Sequence, residues 1–231
     1  MRVIGLLGGM SWNSSLEYYR FINELVAEKL GGLHSARLIL YSLDFDKVQQ
    51  AQHEGRWDDT ITLFSQAGIA LKQAGADFLV ICSNTGNIVA DAVAEKCGLP
   101  LLNIVDVTGR AIKERGLGKV GLLGTRFIME GQFYRRRLQE RFGIDVLVPE
   151  EEERVKVHGI IYEELCQEKI SDYSRGIVIK IIGGLIERGA EGIVLACTEL
   201  PLLIRASDIP VPLFDTTYLH AEAAVKLALA E

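Results

Sequence analysis

Two stretches of this chain read as copies of one another, and that duplication constrains the fold more than any other feature. The first is Gly75-Ala76-Asp77-Phe78-Leu79-Val80-Ile81-Cys82-Ser83-Asn84-Thr85. The second is Gly189-Ala190-Glu191-Gly192-Ile193-Val194-Leu195-Ala196-Cys197-Thr198-Glu199. Each runs from a short polar turn into an apolar stretch rich in β-branched residues, then into small polar side chains. That is the pattern of a fully buried strand presenting polar groups at its carboxyl end. The offset is a constant 114 residues (75 to 189, 83 to 197), which matches Ser83 with Cys197 and Cys82 with Ala196.

The N-terminal Val3-Ile4-Gly5-Leu6-Leu7-Gly8 is echoed by Lys119-Val120-Gly121-Leu122-Leu123-Gly124, offset by 116 (5 to 121). Between these strands the apolar spacing turns helical. It predicts helices over 13–30, 46–53, 57–74, 86–97, 107–115, 152–168, 172–188 and 217–230, with further strands over 37–43 and 99–104. Strands alternating with helices predict an α/β fold of two pseudo-symmetric, doubly wound parallel-sheet domains. The expected division is 1–104 plus 214–231 for the first domain and 105–213 for the second. Parallel sheets bind ligands at the carboxyl ends of their strands. Gly8 to Ser11, Ser83 to Thr85, Gly124-Thr125 and Cys197 to Glu199 are therefore expected to meet in a cleft between the domains.

Bulk properties exclude several classes of function. A net charge of −6 with 48% hydrophobic and 24% charged residues describes a soluble globular protein. It disfavours a phosphate-tracking surface, so no nucleic-acid partner is expected. The basic run Arg135-Arg136-Arg137 reads as a solvated helix face. No apolar stretch approaches the ~20 residues of a membrane span. Cys82, Cys97, Cys166 and Cys197 lack the density and spacing of a disulfide framework or a zinc site, so a reducing cytoplasm is the simplest location. His34, His53, His158 and His220 lack ligand spacing and read as structural or surface residues. No metal is expected. Gly5-Leu6-Leu7-Gly8-Gly9 misses the G-x-G-x-x-G fingerprint, and no Walker lysine, H-E-x-x-H or C-x-x-C occurs.

Chemistry is concentrated at the strand ends. Cys197, between a strand and a helix, is expected to have a depressed pKa if helix N–H groups face it. The alternative is a small buried core residue. Cys82 lies inside the apolar run and reads as core, and Cys97 and Cys166 read as structural. Backbone N–H groups at helix starts, with the side chains of Asn84, Thr85 and Thr198, would make a carboxylate cradle. Capping alone would explain a single Ser or Thr but not the matched pair.

These residues carry a resemblance. Gly5-Leu6-Leu7-Gly8-Gly9-Met10-Ser11-Trp12, the Asn84-Thr85 pair and the Cys197-Thr198-Glu199 close are similar to the aspartate/glutamate racemase family, along the whole chain and including Gln52, Gly124-Thr125 and the Lys156 to Leu165 helix. The resemblance implies a duplicated α/β pair with the active site in the cleft, no cofactor and a homodimer. It implies an acidic amino-acid substrate whose α-proton is removed from one face and replaced from the other. By resemblance the acid/base pair is Ser83 and Cys197, and the substrate is lined by Met10, Gln52, Asn84, Thr85, Thr125, Thr198 and Glu199. Inverting a stereocentre needs an acid and a base on opposite faces of one carbon, with donors stabilising the charge that develops on the α-carboxylate.

The chain departs from the family pattern at defined points. The usual Cys-Asn-Thr-x-His falls on Ser83-Asn84-Thr85-Gly86-Asn87, and Ile128 stands where a second Thr is usual. A Ser83/Cys197 pair implies racemisation at unequal rates for the two enantiomers. A one-thiol decarboxylase or isomerase of a dicarboxylic acid, or a non-catalytic binder of acidic amino acids, are the alternatives. Aspartate and glutamate differ by one methylene, and the sequence does not separate them.

Overall fold

The computed structural model describes residues 1–230. They form two compact units. One is Met1–Ile104 with the C-terminal segment from His220, and the other is Val105–Leu219.

The first unit holds β1 (Ile4–Gly8), α1 (Trp12–Leu30), β2 (Leu38–Ser42), α2 (Phe45–His53), α3 (Trp57–Gln73), β3 (Phe78–Ile81) and α4 (Ala90–Cys97). Its sheet is parallel, in the order β2-β1-β3. The side chains of β1 and β3 alternate between two cores, as the period of a strand requires. Ile4, Leu6, Phe78 and Val80 pack with Tyr18, Ile22 and Val26 of α1. Leu7, Leu79 and Ile81 pack with Phe64, Ala67 and Leu71 of α3 and Val93 of α4. Helices on both faces explain why the strands read as continuous apolar runs.

The second unit begins with α5 (Ile104–Glu114), whose first residue ends the first unit. It continues through β4 (Lys119–Gly124), α6 (Arg126–Glu130), α7 (Gln132–Phe142), β5 (Asp145–Leu147), α8 (Glu151–Gly159), α9 (Asp172–Glu187), β6 (Ile193–Ala196), α10 (Leu200–Leu203) and β7 (Leu213–Asp215). Its parallel sheet runs β5-β4-β6-β7. Leu123, Ile193 and Leu195 face α8 and α9 through Val157, Val178, Ile182 and Leu185. Helices α5 and α7 approach so closely that a Cβ on Gly109 would enter the Phe142 ring. The final helix, α11 (Thr216–Leu229), starts in this unit and passes into the first at His220. There Ala221, Ala224, Val225 and Ala228 join the α1 core.

Several sequence expectations need correction. The segment 99–104 is not a strand. It meets β3 only through one parallel bridge, Leu79 to Leu101, because Pro100 brings a carbonyl but no N–H. The predicted helix 152–168 ends as α8 at Gly159 and continues as a π-helical turn, Ile160–Glu164, and a 3₁₀ turn, Leu165–Gln167. The return to the first unit falls at His220 rather than 214, since β7 pairs with β6 and the Thr216 hydroxyl donates to Leu195 O at 2.9 Å. The Arg135-Arg136-Arg137 run is not wholly solvated. Arg137 makes a bidentate pair with Asp106 at 2.6 and 2.8 Å, joined by Arg141 at 2.9 Å. Burial alone would raise the Asp106 pKa, but these guanidinium groups together hold it below the ordinary carboxylate value.

Candidate active site

Register locates the site within each sheet. In the first, Gly5 pairs with Leu79 and Leu7 with Ile81, and Cys82 N donates to Leu7 O at 2.9 Å. In the second, Gly121 pairs with Ile193 and Gly124 with Ala196. Gly5 and Gly121 are the matched glycines of the repeat. Their partners, Leu79 and Ile193, stand 114 residues apart, the same offset as Ser83 and Cys197. The ladder therefore puts Ser83 and Cys197 at equivalent positions, Ser83 two residues beyond Ile81 at the end of β3 and Cys197 one residue beyond Ala196 at the end of β6. Each sits beside the glycine-rich end of the neighbouring strand.

In the first unit, the turn after β1 is built around a hydroxyl. Ser15 Oγ accepts from Gly9 N at 2.7 Å and donates to Ser11 O at 3.2 Å, while Ser11 caps α1 through Ser14 N. Gly9 has φ +89°, and its Cα lies so close to the backbone of Leu43 that a side chain would not fit. Met10 belongs to the core beneath this turn rather than to an open surface, and Gln52 is buried on α2.

Beyond β3, Ser83 Oγ accepts from Gly86 N at 3.1 Å, opening the 3₁₀ turn Thr85–Val89. One N–H expected to face a ligand is thus taken by Ser83 itself. Asn84 is buried and Thr85 half-buried. Asn87 replaces the usual histidine and acts as a brace. Its amide donates to Ile81 O at 3.2 Å and Ser83 O at 2.8 Å, and its oxygen accepts from Ile104 N at 3.3 Å.

In the second unit, Thr125 follows β4, and its carbonyl accepts from Ile128 N and Met129 N at 3.0 Å each. On the neighbouring strand end, Cys197 Sγ donates to Glu199 Oε2 at 3.0 Å, and Thr198 Oγ1 donates to the same oxygen at 2.6 Å. The expected depressed thiol pKa is overturned. Burial, then the Glu199 carboxylate, push Cys197 well above its ordinary value, and one backbone N–H from Glu199 offsets this only in part. A helix of four residues, α10, follows in place of a long helix start.

Two residues beside Cys197 and one beside Thr125 have surroundings that the sequence reading did not anticipate. The π-helical and 3₁₀ turns bring Tyr162 and Cys166 against the core that contains Cys197. Burial and the surrounding Cys197, Cys166 and Glu199 push the Tyr162 hydroxyl up to about 12. Burial, then Glu199, push Cys166 up to about 12. His158 Nδ1 accepts from Arg126 N at 3.3 Å, beside Thr125, and its ring lies 4.6 Å from that of Tyr162. The signal was present as a row at positions 158, 162 and 166, one helical face. Among the described residues no group of three or more His, Cys, Asp or Glu is placed to hold a metal ion. No described helix is long and apolar enough to cross a membrane.

Comparison with known proteins decides the family. The family description Asp/Glu/Hydantoin racemase matches residues 7–224. The chain belongs to that family. This member of the Asp/Glu/Hydantoin racemase family has solved structural relatives over its whole length. A candidate Asp/Glu racemase from Yersinia pestis is 50% identical, with a TM-score of 0.95 and 100% of each chain covered. An aspartate racemase homologue from Pyrococcus horikoshii OT3 is 34% identical, with a TM-score of 0.89 and 100% of each chain covered. The glutamate racemase of Aquifex pyrophilus is 26% identical over 184 residues, which span 75% of this chain and 66% of that protein.

Proposed function

We propose that this member of the Asp/Glu/Hydantoin racemase family is a cofactor-independent racemase of aspartate, glutamate or both, with Cys197 and Ser83 as its proton-transfer groups. The observation that carries the proposal is the ladder equivalence of Ser83 and Cys197, one bearing a hydroxyl and the other a thiol. Inversion needs two proton-transfer groups of matched geometry, and a repeated strand end is a direct way to supply them.

On this reading the Cys197 thiol passes its proton to Glu199, and the resulting thiolate takes the α-proton of the substrate. Asn84, Thr85 and Thr125 stabilise the charge that moves onto the α-carboxylate, while the Thr198 hydroxyl holds Glu199. Ser83 donates its hydroxyl proton to the opposite face and is reprotonated from solvent, to which Glu199 releases the proton it took from Cys197. Cys197 and Thr198 both engage Glu199, which supports a role for its carboxylate as acceptor of the thiol proton rather than as a substrate ligand.

Proton NMR of L-aspartate and L-glutamate in deuterated buffer tests the proposal. The α-proton signal is expected to fade and the D enantiomer to accumulate, and both changes should vanish with Cys197→Ala. Turnover of a malonate-type diacid without exchange would favour the one-thiol alternative. Binding seen by calorimetry with no exchange would identify a binder.

A further inference from the structure

Helix α7 concentrates positive charge in a chain that is acidic as a whole. Arg135, Arg136, Arg137 and Arg141 share it with a single acidic residue, Glu140, while the chain carries a net charge of −6. Most of these guanidinium groups are matched internally. Arg136 pairs with Glu140 at 3.1 Å, and Arg137 and Arg141 share Asp106. Arg135 is the exception. Among the described residues it makes no ion pair, and its Nε is buried without an acceptor. A buried donor on a charged group that meets no acceptor is a costly arrangement.

Arg135 lines a pocket of about 540 Å³ between α7 and β5, together with Gln132, Arg136, Ile144 and Val146. That volume is within the ordinary range for small-molecule sites. The acidic groups on its wall are already engaged. Glu140 is held by Arg136. Asp145 is exposed to water, and the Gln139 amide, oriented to satisfy its contacts, donates to Asp145 Oδ1 at 3.0 Å and to Ile144 O at 2.9 Å. The remaining wall suits an uncharged body. Ile144 is fully buried and Val146 half-buried. Strand β5 is outermost in its sheet, and Asp145 N donates to Gly118 O at 2.8 Å. Strand alternation therefore turns the Val146 N–H away from β4, toward the free edge.

We propose that this pocket binds a small organic anion, with its phosphate or carboxylate on Arg135 and its body against Ile144 and Val146. A planar guanidinium offers parallel N–H donors to two oxygens of one anion, which supplies the acceptor that Arg135 Nε lacks. The site lies at the amino end of β5, whereas Thr125 and Cys197 follow the carboxyl ends of β4 and β6. It is thus separate from the groups proposed for proton transfer, and the inference does not depend on which reaction the protein catalyses.

Titration of the isotope-labelled full chain with phenyl phosphate and, separately, with benzoate tests it by NMR at constant ionic strength. Saturable shifts are expected at the Arg135 side-chain Nε–H and the Val146 amide, and the tighter probe identifies the anion preferred. Arg135→Gln should weaken binding by about 10-fold or more. Gln132→Glu, which sets a like charge at the exposed start of α7, should do the same and serves if Arg135→Gln does not fold. Arg20→Gln, in a surface pair on α1, should bind like the wild type. Shifts confined to Asn84, Thr85, Thr125 and Thr198 overturn the proposal and would report the strand ends alone. So does a folded Arg135→Gln or Gln132→Glu that binds both probes like the wild type, or an equal loss with Arg20→Gln.

Discussion

Cys197 and Glu199, two residues apart, face each other with sulfur and carboxylate oxygen separated by 3.0 Å. The contact sets the resting state of the thiol. Burial first and the neighbouring negative charge second keep it protonated through the neutral range. On the proposed function, the thiolate that takes a substrate proton forms by transfer to Glu199.

Glu199→Gln is expected to separate the two effects of that carboxylate. Loss of the proton acceptor should lower kcat by about 100-fold. Loss of the charge should lower the thiol pKa, moving the limb of the kcat/KM profile that rises with pH by about one unit toward acid. A pH–rate profile checks both, and Glu199→Asp should restore part of kcat. A residue that merely held substrate would raise KM and leave the limb where it was.

The two proposed proton-transfer groups, Cys197 and Ser83, are expected to fail in different ways. Cys197→Ala should abolish both α-proton exchange and racemisation. Ser83→Ala should lower racemisation by about 100-fold while leaving exchange with retained configuration, because the thiol can still take and return a proton on its own face. NMR for exchange and chiral chromatography for inversion, run on the same samples, distinguish these outcomes.

Asn87 is predicted to matter for stability more than for chemistry. Its amide meets three backbone groups, and Asn87→Ala would leave Ile81 O, Ser83 O and Ile104 N short of a partner in a buried place. We expect a loss of about 2 kcal/mol, read from the shift of the urea midpoint at unchanged m-value.

His220 predicts an acid limit to stability. Leu102 O can only accept, so His220 Nε2 carries the hydrogen at 2.9 Å, and Nδ1 accepts from the Tyr18 hydroxyl at 2.8 Å. Burial depresses the His220 pKa from 6.5 to about 4, outweighing the bond to Leu102. The unfolded chain thus binds a proton that the folded chain refuses. The contribution is complete above pH 6.5 and is lost as pH falls through about 4, on the order of 3 kcal/mol. Urea denaturation at stepped pH measures it, and His220→Gln should flatten this part of the curve.

The parts legible in the sequence were those set by local pattern. Buried runs such as Phe78–Ile81 and Ile193–Ala196 announce parallel strands, and Ser11 and Gly31 mark the ends of α1. Strand β5 was missed because it has three residues, partly exposed, at a sheet edge where alternation has no room to show. The break after Gly159 was missed because the π and 3₁₀ turns continue the winding of the chain and are too short to show an apolar period of their own. At the site, side-chain type and strand position were readable, but not the return of the Glu199 carboxylate onto Cys197. That contact depends on the conformation of two residues and adds to burial, the larger effect, in moving the thiol opposite to the direction a helix start would give.

The shared ladder position of Ser83 and Cys197 also bears on how such a chain can change over generations. Most serine codons lie a single base from a cysteine codon, and in either half the residue hangs from a backbone frame set by its neighbours. One mutation in a gene with identical halves can exchange sulfur for oxygen without moving a strand. Each half of the chain is thus free to acquire its own reactivity while the inherited scaffold stays the same.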